Sequence, residues 1–338
     1  MKRIVLSIVS LIVFSAGYAQ IIAIDKEMSK VMKKAEKGDV DAMYRISMAF
    51  YNNRIKTSDR MKMFYTWTKK AAEAGHPKAM GNLGSLYSEG VEEAGVAADE
   101  KEAFKWYRKG AEGGYAFAML NYGICLHDGV GCAINQTEAF RWLKKAYESD
   151  DTSYREEAQY ALAFCYIKGE GVEQDFDKAF ELLKPIADKG ERGEALLQLA
   201  HLYHNGLGVE ENKQEAFRLY MQAAEKDVVS AMYIVGNRYQ TGVGTTKDIN
   251  EAIEWYERAA EYNNAYAAQA LGELYYKGED VEKDYDKAFV LLKQAAESGN
   301  GCGKAMRLLA ACYRYGLGTS QDAQKEKYWT EQAAKYGE

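Results

Sequence analysis

A tyrosine followed three residues later by a glycine recurs along most of the chain. The pairs are Tyr87 and Gly90, Tyr166 and Gly169, Tyr203 and Gly206, Tyr239 and Gly242, Tyr275 and Gly278, Tyr313 and Gly316, with Leu126 and Gly129 completing the series. Successive glycines stand 39, 40, 37, 36, 36 and 38 residues apart. Self-similarity at this period marks a stacked array of helical hairpins, in which no single unit can bury its own apolar face. A degenerate copy comes first, with Phe50 and Asn53 at the two positions.

Each copy opens on an alanine (Ala42, Ala79, Ala118, Ala158, Ala195, Ala231, Ala267, Ala305), followed at plus four and plus five by a large apolar and a small residue, as in Leu83 and Gly84 or Leu271 and Gly272. Intervals of four share one helical face, and the small residue lets a second helix approach closely. This defines a helix A, which ends where the glycine takes up left-handed backbone. An Asp or Asn follows, four residues before the next anchor position, which is an alanine in all of these copies but the last, where it is Glu326: Asp99, Asn135, Asp175, Asn212, Asp248, Asp284 and Asp322. These predict the N-cap of a helix B. Helix B repeats as Ala103 with Trp106 and Tyr107, Ala216 with Leu219 and Tyr220, or Ala252 with Trp255 and Tyr256. The chain holds only two prolines, and Pro185 falls inside the helix B of the fourth copy, where a kink is expected.

The pattern predicts an all-α chain: a right-handed superhelical solenoid of stacked antiparallel helix pairs. Eight repeats are expected at residues 41–76, 77–115, 116–150, 151–191, 192–228, 229–264, 265–301 and 302–338, behind an N-terminal capping helix within 20–40 that carries Met28, Val31, Met32 and Ala35. No polar helix closes the other end, so self-association through an uncapped C-terminal face is also expected.

Lys2 and Arg3, the apolar run Ile4 to Phe14 and the small residues up to Ala19 predict a signal peptide over residues 1–19, with secretion across the inner membrane to the periplasm or beyond. The run is too short for a comfortable permanent anchor. The net charge of −6 becomes about −8 on cleavage, which argues against nucleic acid and anionic lipid as partners. Five cysteines (Cys125, Cys132, Cys165, Cys302, Cys312) leave at least one unpaired in a monomer. Cys125, Cys165 and Cys312 share one repeat position and are expected as buried filler, while Cys125 with Cys132 is the pair to test for a disulfide.

Alanine, leucine-glycine and tyrosine, then a loop such as Gly206 to Val209, then Lys178 with Ala179 or Glu251 with Ala252, closing on Ala259 and Ala260: this order resembles the Sel1-like repeat, a longer-looped relative of the tetratricopeptide repeat. The resemblance covers residues 41–338. It implies an adaptor that binds other proteins. Some secreted members are described as binding or weakly hydrolysing β-lactams, so a cell-wall binding protein or weak hydrolase is the alternative. Those members carry a cysteine pair in every repeat. This chain has Ala224, Ala260 and Ala296 at one of the two places, so that disulfide architecture does not carry over.

In related solenoids the concave wall is built from helix A, which places offsets plus two, plus six and plus nine from the opening alanine on that wall. The middle copies offer Leu120, Ile124, Tyr160, Phe164 and Ile167, an apolar zone of the kind kept exposed only when something covers it, with His127 on the same wall. The later copies offer His201, His204, Tyr233, Asn237, Gln240, Glu273, Tyr276, Arg307 and Arg314. Aromatic and arginine side chains of this sort dominate interface energies. The expected ligand is a peptide or partner helix, and packing between hairpins is the competing explanation for the apolar zone.

Signatures of catalysis are scarce. No Ser is followed three residues later by Lys, and neither a glycine-flanked serine elbow nor His-Glu-x-x-His occurs. His201 and His204 lie on one face, but the sequence places no third ligand beside them, so neither metal nor cofactor is expected.

Overall fold

A computed structural model describes residues 10–12, 22–24, 26–298 and 302–336. The expected signal peptide and its cleavage point at Ala19 fall almost wholly outside the described residues. Within that stretch β1 (Ser10–Ile12) pairs antiparallel with β2 (Ile22–Ile24), Leu11 opposite Ala23. Every longer element is a helix.

The chain forms two compact units, residues 1–175 and 176–338. The first holds α1 (Lys26–Glu36), the hairpins α2 (Val40–Tyr51) with α3 (Arg60–Glu73), α4 (Pro77–Glu89) with α5 (Glu100–Glu112), α6 (Ala116–Asp128) with α7 (Gln136–Tyr147), and then α8 (Arg155–Lys168). The second opens with α9 (Phe176–Asp188). Four hairpins follow: α10 (Gly193–Asn205) with α11 (Lys213–Glu225), α12 (Val229–Thr241) with α13 (Ile249–Glu261), α14 (Ala265–Lys277) with α15 (Tyr285–Glu297), and α16 (Gly303–Tyr315) with α17 (Ala323–Ala334). In α1 the buried side chains are Met28, Val31, Met32 and Ala35, which join the core of the first hairpins.

Inside a hairpin, the small residue of helix A meets a large one of helix B. A Cβ added at Gly84 would strike the Tyr107 ring, one at Gly236 the Tyr256 ring and one at Gly272 the Leu292 side chain. Between hairpins, the recurring tyrosine stands edge-on to a phenylalanine of the preceding helix B: Tyr166 on Phe140, Tyr203 on Phe180, Tyr239 on Phe217 and Tyr313 on Phe289. The two kinds of contact join the hairpins of each unit into a continuous interior.

The turns are specified at both ends. Asp99, Asn135, Asn212, Asp248, Asp284 and Asp322 each accept a backbone hydrogen bond in the first turn of helix B. Their own N–H groups, and that of Asp175, donate to the carbonyl of the anchor residue of helix A, as Asn212 does to Tyr203 at 2.8 Å. In the degenerate first copy Asn53 adopts φ +55° and so takes the left-handed place that glycine holds elsewhere. Between α4 and α5 the chain forms a 3-10 turn, Glu92–Ala94, closed by paired backbone hydrogen bonds between Val91 and Val96.

Pro185, where a kink is expected, lies inside helix α9, which continues to Asp188. All five cysteines are free thiols, and Cys132 Sγ donates to the Cys125 carbonyl at 3.4 Å instead of bonding to its sulfur. The last helix, α17, has a largely polar outer surface, with Ala333 its buried residue and Tyr328 its exposed large apolar one.

Candidate protein-binding surface

The positions expected on the helix-A wall divide by offset. Those at plus two lean on the next hairpin. In the first unit Tyr44 stacks on His76 at 4.2 Å, and in the second Tyr233 lies 6.0 Å from Tyr266 and 5.9 Å from Tyr256. Leu120, expected as part of an open apolar zone, is only 6% exposed, and Leu197 is likewise buried. The plus-two position is therefore mainly a packing position, because the following helix A covers it. Tyr160 is half-buried.

In the first unit the wall is built from plus six and plus nine. Ile124 on α6 is 39% exposed, unusual for an isoleucine in a folded chain. On α8, Phe164 and Ile167 are half-buried. Phe164 is flanked by the His127 ring at 6.5 Å and by Lys168 Nζ at 5.6 Å from its own ring. His127 is clamped between Asp128 (Nδ1 to Oδ1, 2.6 Å) and Glu170 (Nε2 to Oε2, 2.8 Å). Burial works against a charge on His127, but the bonds to Asp128 and Glu170 outweigh it and raise its pKa above the ordinary 6.5. The zone is thus an exposed isoleucine beside a polar clamp, narrower than the five-residue apolar patch expected from sequence.

In the second unit many of the expected side chains are already engaged. Glu273 is held by Lys277 and Lys304, each at 2.6 Å, and Arg314 by Glu326 at 2.7 Å. Gln240 Oε1 accepts from the Tyr256 hydroxyl at 2.8 Å, and Tyr276 stands edge-on to Tyr285. Asn237 is half-buried and Arg307 exposed. His201 packs on the Tyr220 ring at 5.3 Å, and His204 faces the same ring at 6.5 Å. Among the described residues no group of three or more His, Cys, Asp or Glu is placed to hold a metal ion.

The structure adds a residue that sequence reasoning passed over. Offset plus seven is Ala49, Leu86, Cys125, Cys165, Leu202, Leu274 and Cys312 in seven copies, all buried. In the sixth copy it is Arg238. Its guanidinium lies 5.9 Å from the Tyr220 ring centroid, and Nη2 stands 3.3 Å from His204 Nε2. Arginine can only donate, so His204 accepts through Nε2 and carries its proton on Nδ1. Burial and, after it, the Arg238 charge lower the His204 pKa, which keeps the ring neutral. Burial pushes the Tyr220 hydroxyl up to about 12, against the pull of Arg238. The signal was present in the register: one charged residue at a position that every other copy fills with a small or apolar one.

Stacked helical hairpins that bury their faces on one another and keep a variable helix-A wall define the class of helical repeat proteins. The Sel1 repeat family model matches residues 65–76, 77–115, 116–151, 156–191, 193–228, 229–264, 265–300 and 303–337, and the chain belongs to that family. Its fold is similar to that of c5321, a protective antigen present in uropathogenic Escherichia coli strains, at 27% identity and a TM-score of 0.72 over 92% of this chain. The chain spans 64% of the length of that protein. A Sel1 repeat protein from Oxalobacter formigenes is also 27% identical, with a TM-score of 0.68 over 92% of this chain and 87% of its own. A signal-transduction ATPase with a tetratricopeptide repeat sensor from Pyrococcus horikoshii shares the fold alone, at 17% identity and a TM-score of 0.51 over 87% of this chain and 45% of its own. No curated protein matches the chain in sequence. Sel1 repeat proteins generally mediate protein–protein interactions, and the fold is generally a non-enzymatic scaffold. No helix among the described residues is long and apolar enough to cross a membrane.

Proposed function

We propose that this protein is a non-enzymatic scaffold of an extracytoplasmic compartment that receives a segment of a partner protein on its helix-A wall. The observation that carries the reading is Ile124. It stands 39% exposed on α6, at a wall offset and in the same unit as the half-buried Phe164 and the His127 clamp. An exposed branched apolar side chain beside oriented polar groups is the composition of an interface centre with its rim. Export is supported by the sequence order of residues 1–19, and the absence of a serine or metal constellation from the sequence favours binding over hydrolysis.

The test places a photo-crosslinking amino acid at Ile124 in the native host and compares it with the same protein carrying Phe164→Ala. A scaffold gives one dominant adduct from the exported fraction, weakened by Phe164→Ala while the melting temperature holds. Turnover of a chromogenic β-lactam by the mature protein, or unfolding by Phe164→Ala, would overturn the reading. Sequencing the amino terminus of exported protein checks the compartment, with Gln20 as the expected first residue.

A further inference from the structure

The second unit places an excess of hydrogen-bond donors at Arg238. Nη2 gives its hydrogen to His204 Nε2. Nε is buried and has no acceptor in hydrogen-bonding geometry, and the buried Tyr220 hydroxyl meets no partner besides the Arg238 guanidinium itself. No carboxylate among the described residues forms an ion pair with Arg238. The nearby groups do not cancel the charge: His204 is held neutral and Tyr220 keeps its proton. Arg238 is half-buried, with its Nε wholly so, and a partly buried cation without a counter-charge is unfavourable for a fold unless something offsets it. Packing alone does not call for it, because Leu202 and Leu274 fill the same offset in the copies on either side.

We propose that Arg238, with His204 and Tyr220 around it, is a receptor for a carboxylate carried by the bound protein segment. A carboxylate supplies only lone pairs, and the guanidinium supplies only donors and a positive charge, with the Tyr220 hydroxyl able to donate beside it. The planar guanidinium fork suits a planar two-oxygen acceptor. His204 lies at plus nine on the wall of α10, and Asn237 and Gln240 flank Arg238 on α12, so the carboxylate arrives along the wall already assigned to the partner. The site rests on the scaffold reading and narrows it. It belongs to the second unit, whereas the Ile124 crosslink probes the first, so either test can fail without the other.

The test uses the full mature chain and three short probes: N-acetyl-trialanine with a free α-carboxylate, the same peptide as its carboxamide, and N-acetyl-Ala-Glu-Ala carboxamide. Inorganic phosphate at matched ionic strength is the fourth arm. Binding is followed by the Arg238 Nε–H resonance, assigned by its loss in Arg238→Leu, and by melting temperature. At least one carboxylate peptide is expected to shift that resonance saturably and to raise the melting temperature. The carboxamide is expected to do neither, and Arg238→Leu is expected to weaken binding about 10-fold or more. The free peptide outperforming the glutamate peptide identifies a chain terminus as the ligand, and the reverse identifies an acidic side chain. The proposal is overturned by equal responses to peptide and carboxamide, by a stronger response to phosphate than to either carboxylate, or by carboxylate binding that survives Arg238→Leu. An Arg238→Leu protein that melts several degrees below wild type also overturns it, since the arginine would then be a packing element.

Discussion

Tyr239 of α12 meets Phe217 of α11 edge to face, with ring centroids 5.2 Å apart and planes at 83°. Tyr203 and Phe180 repeat the geometry at 5.6 Å and 83°, and Tyr313 and Phe289 at 5.4 Å and 89°. One aromatic contact thus joins successive hairpins again and again, and in a stacked array such contacts set the coupling between neighbours.

A double-mutant cycle on Phe217→Leu and Tyr239→Leu measures that coupling. The edge-to-face pair is expected to contribute about 0.5–1.5 kcal/mol beyond the area that the two rings bury. Urea melts of the four proteins give the value, and a coupling indistinguishable from zero would reduce the pair to ordinary apolar packing.

Gly208 tests the contact between a loop and the preceding hairpin. Its φ is +66°, and a Cβ there would lie 2.2 Å from the carbonyl oxygen of Phe176. Gly190 has φ +68° and nothing within 4 Å of the same added atom. Gly190→Ala should therefore cost about 1 kcal/mol for backbone conformation alone. Gly208→Ala should cost at least about 2 kcal/mol more, because backbone must also move. Equal losses in the two variants would show that the crowding is relieved without strain.

His127 makes stability depend on pH. Its folded pKa lies above the ordinary 6.5, so the folded state binds its proton more tightly than the unfolded chain does. The stability it contributes is complete below about pH 6.5 and is lost as pH rises through the folded pKa. The difference between wild type and His127→Asn, measured by denaturation across this range, should shrink with rising pH. A difference that grows with pH contradicts the clamp by Asp128 and Glu170.

The cysteines should react in order of exposure. Burial pushes the thiols of Cys125, Cys165 and Cys312 up to about 11, and Cys302 is also buried and raised. Cys132 is half-buried. Brief alkylation of the native protein at pH 8 followed by peptide mass mapping should find Cys132 modified first, since thiolate fraction and access both govern the rate. Modification of Cys165 at the same rate would mean that the first unit opens locally faster than it reacts.

How much of this was legible beforehand follows from what each position answers to. The alanine, the small residue, the anchor tyrosine and the capping Asp or Asn are tied to partners at a fixed distance along the chain or one repeat away, so their spacing announced the hairpins and their turns. The wall was harder. Leu120 shares its offset with the tyrosines Tyr44 and Tyr233, yet only the fold reveals that this offset leans under the next helix A. Glu273 and Arg314 look like free charges in sequence, and Lys304 and Glu326 neutralise them in space.

The sequence by itself determined the repeat, its helical phase and its stops, because helix periodicity and backbone conformation are local properties of the chain. Only the tertiary structure decided which wall side chains remain available and which are spoken for. Solvent exposure and charge pairing depend on the groups that a neighbouring hairpin brings within a few ångströms. Arg238 shows the division: its register marks it as foreign to the core, and only its surroundings, His204 and Tyr220 without a carboxylate, give it a chemistry.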